Sequence, residues 1–384
     1  MKYRKSIINM TVLITLFLFY TLKFLVPPFY ALTDKYAGLF VFLCEGILFL
    51  NNYDFIKAIK EKNKEFFLIA FLMVLIGVNL IIVNSGFGAF FTVANFAFAF
   101  FLSDKIIMSK KQVIALSSIY MAMLLIWLIY RYPQFFGGYD ASFSMNTNGA
   151  ATFSIYTALC ALVLLQILFE KYEFIGLFIV LLFVRSIRLA LWHRARGAFS
   201  ILTFFFILYY VVSKRYVISK KLFRIVTILA TFGSLAFVFM YTIIGRIGVN
   251  FYLPIFYKNI FSGREDIWYE FFTYFCKKPI TGIGTNLTIE SFFEFNVHNA
   301  MYDILVVHGL VVFLIVMFIV HKKFSSFREK AINNNTAFLA LCVLLSVFFE
   351  SYIDMDLIWA DYSMNLIYLL IVINANYNLE SSES

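Results

Sequence analysis

The chain has 384 residues, 62% of them hydrophobic and only 14% charged, with a formal net charge of +10. Soluble domains carry about 25% charged residues, so this composition excludes an ordinary soluble protein. The apolar residues fall in runs long enough to cross a bilayer, which takes about 17–25 residues. Nor does the positive balance point to nucleic acid, because the basic residues sit in short clusters between apolar runs, where they act as topology signals and attract anionic lipid.

The expected fold is all-α, a polytopic transmembrane bundle forming one integral membrane domain over residues 1–384. About twelve spans are expected, over 7–26, 36–50, 66–83, 86–102, 113–130, 151–168, 174–190, 197–213, 222–244, 299–320, 336–351 and 357–373. The basic start (Lys2, Arg4, Lys5) and the apolar run from Ile7 to Val26 read as a first span ended by Pro27-Pro28. That run is too long for a signal-peptide core, and no small-residue cleavage site follows it. Cys44, Cys160 and Cys342 lie in apolar runs and Cys276 stands alone, so neither zinc spacing nor a disulfide framework is visible.

Most of the 32 lysines and arginines fall in alternate connections. These are Lys57 to Lys64, Lys105 to Lys111, Lys171, Lys214 to Arg224 and Lys322 to Lys330, together with the N-terminal cluster. The positive-inside rule makes this set, and both termini, cytoplasmic. The outer connections then hold Arg131, Arg185, Arg188, Arg194, Arg196, Arg246 and Arg264, with few lysines. Arginine in preference to lysine suggests bidentate binding of an oxyanion; interfacial snorkelling is the plainer explanation for any one of them.

Asn146 and Asn148 open the sixth span as caps or as contacts to sugar hydroxyls. In the seventh, the run from Phe174 to Val184 rises only about 17 Å, so the helix must continue past Arg185 and Arg188. Those two arginines, three residues apart, share a face. Charge at that depth implies a polar cavity. His193, Arg194 and Arg196-Gly197 follow at the turn into the eighth span.

The connection between spans six and seven is only Phe169 to Glu173, which speaks against a transporter made of two six-span halves. The long connection runs instead from residue 245 to residue 298, between spans nine and ten. At about fifty residues it is expected to fold and to carry function. Within it, Ser262-Gly263-Arg264-Glu265 has capping-box spacing and predicts a helix to about Lys277, before Pro279. Ile267, Trp268, Phe271, Phe272 and Phe275 form an aromatic face suited to the bilayer surface. Arg264 in the first turn, beside free N–H groups, favours a phosphate-like anion; snorkelling or pairing with Asp266 is the alternative.

Gly282 and Gly284 permit close backbone approach or an anion-binding nest. His298-Asn299 opens the tenth span, where the helix dipole disfavours an imidazolium and leaves a proton acceptor, or simply a cap. Asp354-Met355-Asp356 has Asp-x-Asp spacing, which reads either as a metal site or, more plainly, as two solvated acids. Neither a metal nor a cofactor is expected.

The order of these motifs resembles the O-antigen ligase and polysaccharide polymerase superfamily, the Wzy-type membrane glycosyltransferases. The resemblance rests on Asn146-x-Asn148, Ala195-Arg196-Gly197, Ser262-Gly263-Arg264 with its amphipathic helix, Pro279 to Gly284, His298-Asn299 and Gly309-Leu310. It covers roughly residues 140–320. Ala195 departs from the usual Ser, and His308 from the usual acid before Gly309. What the resemblance implies is a polymerase that joins undecaprenyl-diphosphate-linked repeat units into capsule or O-antigen at the outer face of the bacterial cytoplasmic membrane. Arg196 and Arg264 would stabilise the leaving diphosphate and His298 would act as general base. Arg185, Arg188, Arg194, Asn146, Asn148, Gly282, Gly284 and Asn299 would contact substrate. Expected partners are the lipid-linked glycan and the bilayer, with a chain-length regulator and a flippase as candidate proteins and no nucleic acid. A ligase transferring finished glycan is the sister reading, and a flippase of the same lipid is the rival from another class. Glu45 within an apolar run gives thin support to a cation-coupled transporter.

Overall fold

A computed structural model describes residues 2–130, 147–169, 184, 187–188, 190–191, 193–249, 251–256, 258–261, 263–291 and 295–377. Arg131, Asn146, Arg185, Ser262 and most of the expected span 174–190 lie outside the described residues. The first half comprises α1 (Lys2–Leu25), α2 (Pro27–Thr33), α3 (Ala37–Asn52), α4 (Phe55–Lys60), α5 (Lys64–Ile82), α6 (Phe87–Leu102), α7 (Lys110–Tyr130) and α8 (Thr147–Leu168). The second half comprises α9 (Arg196–Phe206), α10 (Lys214–Val217), α11 (Lys220–Ile228), α12 (Ser234–Arg246), α13 (Arg264–Phe275), α14 (Ala300–Asn333), α15 (Asn335–Glu350) and α16 (Ala360–Asn374). Strand structure among the described residues is confined to one antiparallel pair, Tyr252–Leu253 with Lys258–Asn259.

By length and composition, five helices can cross a membrane: Arg4–Lys23, Lys64–Ile82, Ala151–Leu168, Lys220–Arg246 and Ala300–Asn333. Shorter apolar helices stand beside them, so the architecture is that of a multi-pass membrane protein. The span from Lys220 to Arg246 stays continuous through a π turn at Leu229–Gly233, and α9 continues through another at Ile207–Val211. Such turns free a backbone carbonyl. Here the Tyr352 hydroxyl donates to the Leu229 carbonyl beside Gly233.

The core is made by α15 and α16, nearly every residue of which is buried, with α1, α6, α8, α9 and α14 packed around them. The two ends of the bundle differ in charge. At one end Lys323, only 3% exposed, is clasped by Glu65 at 2.7 Å and Asp104 at 2.8 Å, and Lys105 and Lys322 also reach Glu65. Arg328 donates to the Ile218 carbonyl and Lys214 to Asn335 at this same end. The start of α9, the end of α12, α13, the start of α14, the end of α15 and the start of α16 gather at the other end.

The helix α14 is broken at Gly309, where φ is 84° and ψ 170°. The break exposes carbonyls that the segment Pro279–Gly284 uses. Ile283 N–H donates to Val306 at 2.9 Å, Gly284 N–H to Val307 at 3.1 Å, and Leu310 N–H to Pro279 at 2.8 Å. Gly282 and Gly309 pass so closely that a Cβ on either would overlap the other strand's backbone. These two glycines are therefore dictated by a backbone crossing.

Candidate functional site

The helix α13 begins one residue later than the capping-box spacing suggests. Its N-cap is Gly263 in a left-handed conformation (φ 81°), with no side-chain cap, and it ends at Phe275. Its aromatic face does not lie on the bilayer surface as a whole. Ile267, Trp268 and Phe271 are buried in the protein, Trp268 donating to the Val297 carbonyl at 2.7 Å. Phe272 and Tyr269 remain exposed and, with α12 residues such as Phe239 and Ile243, line an apolar groove of about 300 Å³.

This packing delivers Arg264 and His298 to one place. His298 sits in a left-handed backbone conformation (φ 54°), and its N–H donates to the Asn296 side chain at 2.9 Å. Between the two stands Asp354. Its Oδ2 is 3.8 Å from an Arg264 guanidinium nitrogen and its Oδ1 is 3.9 Å from His298 Nδ1. The latter is an electrostatic separation, about 1 Å longer than a hydrogen bond. All three side chains are largely but not wholly shielded, at 15–25% exposure. Burial pushes the Asp354 carboxyl up, but His298 and the Arg264 charge outweigh it and hold the group below the usual carboxylate range. Arg264 does not pair with Asp266, which meets Arg246 at 3.5 Å instead.

Arg196 opens α9 beside them, near enough to Arg264 for the two charges to act on each other. One of its nitrogens donates to the carbonyls of Asn259 (3.1 Å) and Ile260 (2.6 Å), and the Tyr241 hydroxyl meets those of Ile260 and Phe261. Ala195 caps α9 without a side-chain hydrogen bond. Gly197 packs directly on Glu350, as a Cβ there would stand 2.8 Å from Oε1.

The other expected site residues are placed differently. Asn299 is fully buried and caps α14. Its oxygen accepts from Tyr302 N–H and the Ser234 hydroxyl, and its amide donates to the Tyr352 carbonyl. This makes it a bracket behind His298. Gly282 and Gly284 form no anion nest, because their N–H groups donate to Lys278 and Val307. Arg188 and Arg194 are exposed on the segment leading into α9. Asn148 lies in the first turn of α8, with its side-chain oxygen buried and accepting no hydrogen bond.

Sequence reasoning read Asp354 and Asp356 most plainly as solvated acids and passed over Glu350. Asp354 is half-buried, and Asp356 is only 3% exposed, so these are not solvated carboxylates. Glu350, fully buried at the end of α15, joins them, with one oxygen from each of the three carboxyls within 4.8 Å of the others. Burial and then the Asp354 charge raise the Asp356 carboxyl well above its usual range, against hydrogen bonds with Thr152, Glu350 and Tyr362. The available signal was Glu350 itself, an acid ending an apolar span four residues before Asp354.

The chain matches no protein-family model. No curated protein sequence matches it either.

Proposed function

We propose that this chain is a membrane glycosyltransferase that polymerises undecaprenyl-diphosphate-linked oligosaccharide repeats into capsule or O-antigen at the outer face of the bacterial cytoplasmic membrane. The observation that carries this reading is the meeting of Arg264, Asp354 and His298 at the end of the bundle opposite the lysine-rich end. With the lysine-rich end in the cytoplasm, that site faces outward.

The chemistry follows from the side chains. An acceptor sugar hydroxyl attacks the anomeric carbon of the donor glycan, and the bond to the diphosphate breaks. His298 takes the hydroxyl proton, a role typically worth about 10²–10⁴-fold. Asp354 steadies the resulting imidazolium. The departing diphosphate gains negative charge, which Arg264 and the adjoining Arg196 offset; stabilisation of that kind is typically worth about 10²–10³-fold for one donor. No nucleotide is required, because the diphosphate already activates the sugar. The exposed apolar groove between α12 and α13 suits the polyprenyl chain.

The test is a gel of surface and lipid-linked glycan from a deletion strain complemented with wild type, His298→Ala or Arg264→Ala. Loss of the ladder, with single lipid-linked repeats outside and no rescue by either variant, is the expected result. Long chains that never reach their acceptor would make the protein a ligase. Glycan trapped on the cytoplasmic face would replace the enzyme by a flippase.

A further inference from the structure

The sequence predicts no metal site, yet the acids beside the arginines form a cage. We propose that Glu350, Asp354 and Asp356 bind one divalent cation of the calcium type at this end of the bundle. The proposal stands on the cage alone and goes beyond the glycosyltransferase reading.

Three observations carry it. First, the three carboxyls come from the end of α15 and the connection to α16, and one oxygen of each lies within 4.8 Å of the other two. Second, Glu350 is fully buried, and among the described residues its oxygens meet no backbone, hydroxyl, amide or basic donor, only the neighbouring Asp356 carboxyl. A carboxyl buried in that state either keeps a proton or meets a positive partner, and a cation held by all three acids supplies the second. The Arg264 charge reaches Glu350, but its guanidinium stands against Asp354 Oδ2. Third, the surroundings keep room for Glu350 and offer further oxygen. Gly197 is the residue against Glu350 Oε1, where a side chain would intrude. Thr152 bonds Asp356, and Asn148, one turn earlier on the same face of α8, holds a buried amide oxygen without a donor.

The donor set is all oxygen, which selects hard cations over zinc or copper. Two ligands of one ion lie at most twice the metal–oxygen distance apart, about 4.6–5.2 Å for Ca²⁺ and about 4.1 Å for Mg²⁺. One oxygen of each carboxyl lies within the Ca²⁺ limit of the others, and Ca²⁺ tolerates the irregular oxygen geometry of a helix end and a loop where Mg²⁺ demands a near-ideal octahedron. An ion here would share the Asp354 carboxyl that stands between Arg264 and His298, so its charge would reach the site.

The test uses the full chain, purified in detergent, stripped with chelator and titrated with Ca²⁺ and separately with Mg²⁺. Calorimetry follows binding and thermal denaturation follows stability. The expected result is one Ca²⁺ per chain, with Kd at or below about 10⁻³ M, protons released on binding, a raised melting temperature, and weaker binding of Mg²⁺. Asp356→Asn and Glu350→Gln should each weaken Ca²⁺ at least tenfold. Should those buried variants misfold, the more exposed Asp354→Asn gives the same reading. Absence of saturable Ca²⁺ binding by the wild type, as when Glu350 and Asp356 merely share a proton, overturns the proposal. So does binding that all three variants leave unchanged. Because binding is read without turnover, its failure leaves the glycan assay standing, and the reverse.

Discussion

Replacing Gly309 by alanine tests the crossing on which the outer segment rests. At φ 84° and ψ 170° the backbone lies in a region that is essentially glycine-only, where a side chain costs about 1–3 kcal/mol. The new methyl would also overlap the Ile280 carbonyl, so Pro279–Gly284 must move away. Moving it forfeits the bonds from Ile283 to Val306, Gly284 to Val307 and Leu310 to Pro279, each worth about 0.5–1.5 kcal/mol net. The sum is about 2.5–7.5 kcal/mol, a large share of a typical stability of about 5–15 kcal/mol. The control is Gly77→Ala in α5, where nothing lies within 4 Å of the added Cβ and alanine favours the helix by about 0.5–1 kcal/mol. Detergent-solubilised variants are heated, and the fraction remaining monodisperse is measured by size-exclusion chromatography. Gly309→Ala should lose its monodisperse peak many degrees below Gly77→Ala. Equal melting of the two would refute the crossing and the energetic reasoning built on it.

Further outcomes follow from the same geometry. Asp354→Asn should lower kcat for polymerisation of a lipid-linked repeat on the order of 10²-fold or more with little change in KM; an unchanged kcat in a reconstituted assay sinks its role beside His298. Asp356 has a raised folded-state pKa, so its proton is held more tightly in the folded chain. Its contribution to stability is therefore lost as pH rises from the ordinary aspartate range through the raised value. In chelator, Asp356→Asn should flatten that decline, so parallel melting-versus-pH curves for the variant and wild type would contradict it. Lys323→Met removes the buried partner of Glu65 and Asp104, which keep Lys105, and should cost about 1.5–3 kcal/mol, while exposed Lys322→Met should cost less than about 1 kcal/mol; thermal melts that do not separate the two would discount the clasp.

The helices were legible because bilayer-length apolar runs leave few alternatives, and α5, α6, α8 and α14 start or end within a few residues of the expected spans. Lys105, Lys322 and Lys323 do meet, around Glu65, since charge that cannot enter hydrocarbon is expelled to its edge. What the chain order could not convey is which polar groups would meet across it. Nothing local to Asp354 announces Arg264, ninety residues earlier in the chain. Gly282 was legible as a close approach, but its partner at Gly309 was not, because a helix break carries no local signature in an apolar run. The aromatic face of α13 was recognisable by its period. Its side was not, because burial against Val297 and Phe295 looks in sequence like burial in lipid.

The connection carrying Arg264 and His298 is held in three places, and that bears on what the site can do. Arg196 and Tyr241 grip the carbonyls of residues 259 to 261 before α13. Glu270 accepts from Glu290 and Ser291 N–H and the Ser291 hydroxyl beyond it. Thr285 is stapled to Ser85 and Gly86 at the α5–α6 turn. Electrostatic catalysis depends on charges that need not reorganise as the reaction proceeds. A loop pinned at its start, middle and end holds Arg264 against Asp354 without drawing on substrate binding. Beside the charge-offsetting role proposed for it, Arg196 holds this loop, so replacing it should loosen the whole connection. Lysine at that position, keeping the charge but losing the planar fork, should impair turnover nearly as much as alanine. If Arg196→Lys supports wild-type polymer yield in the complemented strain, the grip on residues 259 and 260 is dispensable and only the charge matters.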